Sequence, residues 1–171
     1  IGSIGPDIKN CTFVSNSNNS GKSAGLYKCS DTIINSIFWN NSGDELTSCS
    51  DPNYSIIQHW TGFGTGNSSV DPKFTGTGDS PYTLQASSPA VNKGNPAGID
   101  TSIFKYDLAG KKRINLGRID IGAYEYYDSI VPTAPCILSS FDGFQIPAGN
   151  SINIELAKLN SDNTGYYVGC T

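Results

Sequence analysis

The sequence predicts an all-β chain made of short strands. Gly, Ser, Asn and Thr supply 69 of its 171 residues. Ser and Asn compete for backbone hydrogen bonds, and Gly loses the most entropy on ordering, so this composition disfavours long helices. Hydrophobic residues at 37%, aromatic residues at 11% and a net charge of only −4 argue against disorder. An internal repeat of strand-like segments is the other main observation.

The repeat relates residues 8–13 to residues 33–38. Both segments read Ile-x-Asn-x-x-Phe, and they superpose without gaps. An imperfect period of this size is typical of a solenoid, in which successive coils stack. Ile and Phe are five residues apart, an odd number, so the chain must bend between them if both side chains are to point inward. Asn tolerates a left-handed backbone well, and we expect it at that bend.

We therefore expect Asn10 and Asn35 to form a ladder at a coil corner, with their amides bonded to one another and to the turn backbone. A degraded third copy at residues 53–56 would add Asn53, at a shorter offset than the one that separates the first two copies. Glycosylation is the competing interpretation, although asparagines inside such a ladder would be inaccessible. The asparagines that head Asn-x-Ser/Thr triplets are Asn10, Asn18, Asn40, Asn53 and Asn67.

Three motifs follow one another in the second half of the chain. This ordered set resembles the terminal segment of secreted bacterial right-handed parallel β-helix surface proteins of the choice-of-anchor Q type. The resemblance covers about residues 8–126. It implies a short right-handed parallel β-helix of a few coils, whose last coil is closed by residues 88–125 as a C-terminal cap. The motifs are Ser-Pro-Ala-Val-Asn-Lys-Gly at 88–94, Asp-Leu-Ala-Gly-Lys-Lys-Arg at 107–113 and Arg-Ile-Asp-Ile-Gly-Ala-Tyr-Glu at 118–125.

The closing motif carries five charged residues. We expect them to form buried ion pairs and turn caps, because Arg presents a planar fork that matches a carboxylate. A bound cation or a partner surface is the alternative. These residues are Asp107, Arg113, Arg118, Asp120 and Glu125.

Three regions are predicted along the chain. Residues 1–127 would hold the coils and the closing segment. Residues 128–135 read as a linker, and residues 136–171 read as a small β-meander appendage with an Asp-Gly hairpin turn at 142–143. The coil region begins without an amphipathic helix to shield its first strand. An open β edge pairs with whatever it meets. Either further coils precede this region in the parent protein, or the edge docks on another chain, for which we expect head-to-tail self-association as in a filament.

The five cysteines suggest two disulfides and leave one thiol over. Cys29 and Cys49 share the context Cys-Ser-Asp, and stacking of their segments would bring them within disulfide reach. Cys136 and Cys170 bracket the appendage and would tie it off. Aligned cysteines that act only as small hydrophobic residues are the alternative. With no CxxC pair and a single histidine, a zinc site is not expected, and no cofactor is predicted.

Charge and hydropathy narrow the partners. The sequence pI is about 4.7, and we expect the basic residues to be scattered along the chain. Because binding to nucleic acid needs a clustered positive face, nucleic acid is not an expected partner. No apolar run reaches the roughly 20 residues needed to span a bilayer, so membrane insertion is not expected either. The chain starts at Ile1 and lacks Met. Together with the resemblance, this favours a mature, secreted or cell-surface product.

The segment 59–66 is the best candidate for recognition. His59, Trp60 and Phe63 lie on a glycine-rich loop, where the rings would offer flat faces to a sugar. The alternative is that Trp60 and Phe63 fold back over a coil corner. Paired catalytic carboxylates on one strand face are not evident. We therefore expect a non-catalytic structural or adhesive protein, and the alternative is a carbohydrate-binding module or the terminal part of a polysaccharide lyase or hydrolase.

Overall fold

The computed structural model describes residues 6–19, 23–100, 102–114, 117–127, 157–158 and 166–167. Over these residues the regular secondary structure is mostly short strands with almost no helix, which confirms the all-β prediction. The helical structure described there is one 3₁₀ turn, Pro96–Gly98, capped by Asn95. The strands are β1 Ile8–Lys9, β2 Thr12–Val14, β3 Leu26–Tyr27, β4 Ile33–Ile34, β5 Ile37–Trp39, β6 Leu46–Thr47, β7 Ile56–Ile57, β8 Ala157–Lys158 and β9 Tyr166–Tyr167.

Strands β1 to β7 form three small sheets in which every pair is parallel. The sheet orders are β1-β4, β2-β5-β7 and β3-β6. Phe13 pairs with Phe38 in register, which is the alignment given by the sequence repeat. Leu26 pairs with Leu46, so β3 and β6 stack at a shorter offset. We call residues 8–14, 33–39 and 53–57 the first, second and third rungs.

Each of the first two rungs bends at an asparagine with a left-handed backbone. Asn10 has a φ of 49° and Asn35 has a φ of 52°. The bend separates β1 from β2 and β4 from β5. It brings Ile33 and Phe38, five residues apart, into one buried cluster. The odd spacing of Ile and Phe therefore corresponds to a bend in the backbone, as predicted.

The third rung shows that the predicted position of Asn53 is wrong by one residue. Its left-handed residue is Tyr54, with a φ of 46°, and Asn53 lies beside Ile34 instead. The cause is the register of the neighbouring strand, where Ile37 pairs with Ile56. The same register aligns Tyr54 with the bend of the second rung.

The two faces of the β2-β5-β7 sheet bury different clusters, because neighbouring residues of a strand point to opposite sides. On one face the Phe13 and Phe38 rings stack with centroids 4.9 Å apart and planes 4° apart. Phe38 is fully buried there with Cys29, Ile33 and Ile57. On the other face lies a second cluster, formed by Ile37, Ile56, Leu84, Ala90 and Ile121.

The second cluster shows where the closing segment lies. Residues 90–98 and 119–123 of this segment lie against the side of the sheet and bond to the first two rungs. The Gly122 N–H donates to the Asn35 carbonyl at 2.8 Å, and the Ala123 N–H donates to Thr12 Oγ1 at 2.9 Å. The expectation that this segment closes the last coil is therefore wrong, because it covers an apolar sheet face and not the end of the stack.

The asparagine amides bond to this segment and not to each other. The Asn95 N–H donates to Asn35 Oδ1 at 2.8 Å, and Asn35 Nδ2 donates to the Asn95 carbonyl at 3.0 Å. Asn10 Nδ2 donates to the Asp120 carbonyl at 3.4 Å. The predicted amide ladder is thus corrected to two buried amides that hold a neighbouring segment.

The chain divides into two compact units, Ile1–Tyr126 and Tyr127–Thr171. In the second unit, β8 and β9 pair antiparallel, with Ala157 opposite Tyr167. The predicted linker at 128–135 and most of the predicted meander at 136–171 lie outside the described residues.

Gly122→Ala should lower the free energy of unfolding by about 3 kcal/mol. Gly122 has a φ of 108°, and an added Cβ would lie 2.8 Å from Ile37 Cδ1 and 2.9 Å from Thr12 Oγ1. Gly110→Ala is the matched control, since Gly110 also has a positive φ of 79° but nothing within 4 Å of an added Cβ. Strain alone predicts about 1 kcal/mol there. Equal losses in urea unfolding would contradict the packing of this segment on the sheet.

Candidate functional site

A cavity among the described residues lies beside the second and third rungs. Its volume is about 490 Å³, within the usual range of small-ligand sites. Residues 40–41 and 43–46 line one wall, and residues 57–62 line the other. The cavity exists because the chain after the third rung turns back after few residues, and Ser68 bridges to Ile56. The residues between Ile56 and Ser68 are too few to add a strand beside β6, so the space next to β6 stays open.

Trp60 forms one side of this cavity and is partly buried. Its ring packs against the cluster of Cys29, Ile33, Phe38 and Ile57. Trp60 Nε1 donates to the Phe63 carbonyl at 3.2 Å, and the Trp60 N–H donates to Ser69 Oγ at 2.9 Å. A side chain at position 62 would overlap the indole, which explains the glycine there. Trp60 therefore both covers a coil corner and borders the cavity.

The structure brings His59 and Trp60 together but leaves Phe63 apart. His59 is exposed, with a φ of 57°, and lines the cavity beside Trp60. Phe63 is 80% exposed and is not part of the lining. The predicted three-residue sugar surface is thus reduced to two residues, because Phe63 is exposed outside the cavity lining.

The opposite wall contains a buried carboxylate, that of Glu45. Glu45 Oε1 accepts from the Asn41 N–H at 3.0 Å, and Glu45 Oε2 accepts from Asn41 Nδ2. Asn41 Nδ2 also donates to the Phe13 carbonyl at 3.0 Å, and Asn41 Oδ1 accepts from Asn16 Nδ2 at 2.8 Å. Asn16 and Asn41 are separated by the same offset as Phe13 and Phe38, so extending the repeat beyond Phe38 would have found this corner.

Four of the five closing-motif charges form one buried network. Arg113 Nη1 lies 3.3 Å from Glu125 Oε1, and it also donates to the Gly122 carbonyl at 3.1 Å. Glu125 Oε2 accepts from the Asp120 N–H at 2.9 Å. Asp107 Oδ2 accepts from the Glu125 N–H at 2.8 Å.

The Asp120 carboxylate joins two more segments. It accepts from the Asn92 N–H at 2.7 Å and from the Tyr126 N–H at 2.5 Å. Arg118 is exposed, so its predicted place in the network is wrong. The arrangement caps backbone N–H groups and leaves little carboxylate free for chemistry.

Burial sets the protonation of this network. Desolvation raises the pKa of Glu125 to about 8, helped by the nearby Asp120 charge and opposed by Arg113. Desolvation also raises the pKa of Asp120 above its usual value. Glu125 therefore holds its proton in the folded chain at a pH where the unfolded chain has lost it.

The first three cysteines are free thiols in the structure. The Cys29 N–H donates to Cys49 Sγ at 3.5 Å, so the two residues are neighbours just beyond the paired strands β3 and β6, but the predicted disulfide between them is not formed. Burial raises the pKa of the Cys11 thiol, which disfavours its reactive thiolate. Cys136 and Cys170 lie outside the described residues.

The described residues hold no cluster of three or more His, Cys, Asp or Glu side chains placed to bind a metal ion. Within the same ranges, no helix has the length and hydropathy of a bilayer span.

Comparison with known proteins finds no matching family, no matching curated protein and no matching solved structure. The resemblance of residues 88–125 to choice-of-anchor Q proteins therefore stays a prediction.

The stability of the chain should fall as the pH rises from about 4.5 to about 8. Between those values unfolding releases the Glu125 proton, so each pH unit removes up to about 1.4 kcal/mol. Glu125→Gln should flatten this dependence, since the amide does not titrate. Asp44→Asn, at an exposed carboxylate, is the control that should keep the wild-type slope. A wild-type unfolding free energy that rises across this window would contradict the network.

Proposed function

We propose that residues 6–127 form a short right-handed parallel β-helix with a non-catalytic structural or adhesive role in a secreted or cell-surface protein. The observation that carries this proposal is the set of parallel, in-register rungs that each bend at one aligned left-handed residue. The buried charges support a structural role, because Asp107, Asp120 and Glu125 accept backbone N–H groups.

Self-association through the first rung is the specific form of this role. Strands β1, β2 and β3 each lie at an edge of their sheet. The Ser15 N–H donates inward to the Trp39 carbonyl, so by alternation the Val14 N–H faces outward. Asn10 Oδ1 is buried without a hydrogen-bond partner among the described residues. A further rung stacked on this edge would supply donors to such groups.

A second copy of this chain has a suitable edge at its other end. Residues 65–69 run beyond the third rung and pair with it: the Ser68 N–H donates to the Ser55 carbonyl at 2.9 Å, and the Ile57 N–H donates to the Ser68 carbonyl at 2.9 Å. Much of this segment is exposed. Head-to-tail stacking would place it against β2 of the next copy.

Sedimentation should show a weight-average mass that increases with the concentration of the chain. Val14→Lys should weaken association by at least about tenfold, because lysine on an edge strand opposes pairing. Leu108→Lys is the matched control, since Leu108 is 71% exposed and lies outside the rungs. A wild-type chain that stays monomeric at every concentration would refute head-to-tail stacking.

Carbohydrate binding at the cavity is the second candidate function. The observation that favours it is the pairing of an aromatic ring, Trp60, with the amide side chains of Asn40 and Gln58 around one opening. Sugars present apolar faces to aromatic rings and hydroxyls to amides. Because Asp44 and Glu45 also line this cavity, we expect neutral or amino sugars and not uronates.

A glycan array should show binding that His59→Gly reduces and Phe63→Ala leaves unchanged. Glycine at position 59 removes the imidazole but accepts the left-handed φ of 57°, so the fold is preserved. Phe63 is exposed outside the cavity and serves as the control. A blank array for the wild-type chain would refute this candidate, and degradation of a polysaccharide by the chain alone would refute the non-catalytic role.

A further inference from the structure

A small hairpin stands on the surface of the closing segment at residues 103–112. Tyr106 and Lys112 form an antiparallel bridge. The Asp107 N–H donates to the Lys111 carbonyl at 2.7 Å, and the Arg113 N–H donates to the Lys105 carbonyl at 2.9 Å. Asp107 Oδ1 closes the turn by accepting the Ala109 and Lys111 N–H groups. The hairpin is therefore held by its own backbone and by the buried network.

The hairpin exposes an unusual amount of apolar surface. Ile103 and Leu108 are each 71% exposed, Tyr106 is 58% exposed and Phe104 is 44% exposed. Isolated exposed apolar residues need no explanation, but four within six positions form a patch of the kind that binds a partner. A cleft of about 210 Å³ lies in this patch, lined by Phe104, Lys105, Tyr106, Lys112 and Ile114.

The same region concentrates positive charge in an acidic chain. Five of the 11 Lys and Arg residues lie between positions 105 and 118, where Asp107 is the one acidic residue. The prediction that the basic residues are scattered along the chain is therefore wrong for this region. Asp107 and Arg113 are both buried, so neither presents its charge at the surface. The exposed cations are Lys105, Lys111, Lys112 and Arg118.

We propose that the hairpin is a docking surface for an anionic polysaccharide, with sugar rings against Phe104 and Tyr106 and acidic groups against Lys105 and Lys112. Aromatic rings and cations line one cleft, so the partner must carry apolar faces and negative charge at short alternating spacing. A chain of uronate residues has both properties, since its C–H faces pack on rings and its carboxylates pair with ammonium groups.

The geometry favours a polysaccharide over an anionic lipid surface. A membrane-inserting loop needs its apolar side chains beyond its cations, so that the cations stay at the headgroups. Here Lys105 lies between Phe104 and Tyr106 in the chain, and Lys112 shares their cleft. The Leu108 N–H donates to the Ala123 carbonyl at 3.1 Å, so the hairpin tip is tied back to the body of the closing segment.

Affinity electrophoresis of the full chain through gels that contain polygalacturonate tests this proposal. The wild-type chain should be retarded, and the retardation should fall as NaCl rises from about 0.05 M to about 0.3 M, because salt screens exposed charges. Fully methyl-esterified polygalacturonate is the matched ligand control, since it keeps the sugar rings and loses the charge. It should retard the chain much less.

Two variants separate the hairpin from general charge. The double substitution Lys105→Gln and Lys112→Gln should raise the dissociation constant for polygalacturonate, measured from the retardation, by about tenfold or more. That change corresponds to about 1.4 kcal/mol of binding free energy. Lys28→Gln with Lys73→Gln removes the same charge at exposed sites outside the hairpin and should change little.

Phe104→Ala should also weaken retardation if sugar rings pack on the aromatic face. Equal retardation of both double variants, equal retardation by the esterified polymer, or binding only to anionic vesicles or to nucleic acid would overturn the proposal. The outcome is independent of the His59 cavity, whose acidic lining disfavours an anionic ligand.

Discussion

The structure depends on one backbone constraint, which is a left-handed bend at the same place in successive rungs. Asn10, Asn35 and Tyr54 take this conformation. The bend turns each rung from one sheet into the next and lets residues at odd spacing share a buried cluster. Once two such bends stack, the strands on either side are in parallel register, and the Phe13 and Phe38 rings meet.

The bend also attaches the second half of the chain. Buried Asn35 uses its amide to hold Asn95, and its carbonyl accepts the Gly122 N–H. An unpaired buried amide would cost free energy, so each asparagine needs a partner beyond its own rung. The segment 88–125 supplies partners for the Asn35 amide and for Asn10 Nδ2. It also covers Ile37 and is itself locked by carboxylates that cap its backbone. Coil and closing segment are therefore one folding unit.

The repeat and the odd Ile-to-Phe spacing were enough to predict an all-β chain and the alignment of Asn10 with Asn35. They could not predict Tyr54 at the third bend. The pairing of Ile37 with Ile56 aligns Tyr54 with Asn35, so the position of Asn53 in the sequence does not mark the bend. Spacing along the chain also carries no information about which face a distant segment covers, so the position of residues 88–125 was missed. The glycine-rich loop was enough to predict Trp60 as a recognition residue. The cavity beside Trp60 could not be predicted, because it depends on how few residues follow the third rung before the chain turns back.

Nuclear Overhauser spectroscopy of the chain in solution tests the central claim most directly, because parallel and antiparallel rungs give different proton contacts. The account predicts cross-peaks between the Phe13 and Phe38 rings and between the Gly122 amide proton and the Asn35 Hα. Strong Hα–Hα cross-peaks between residues 8–14 and 33–39 would mark antiparallel pairing and would contradict it.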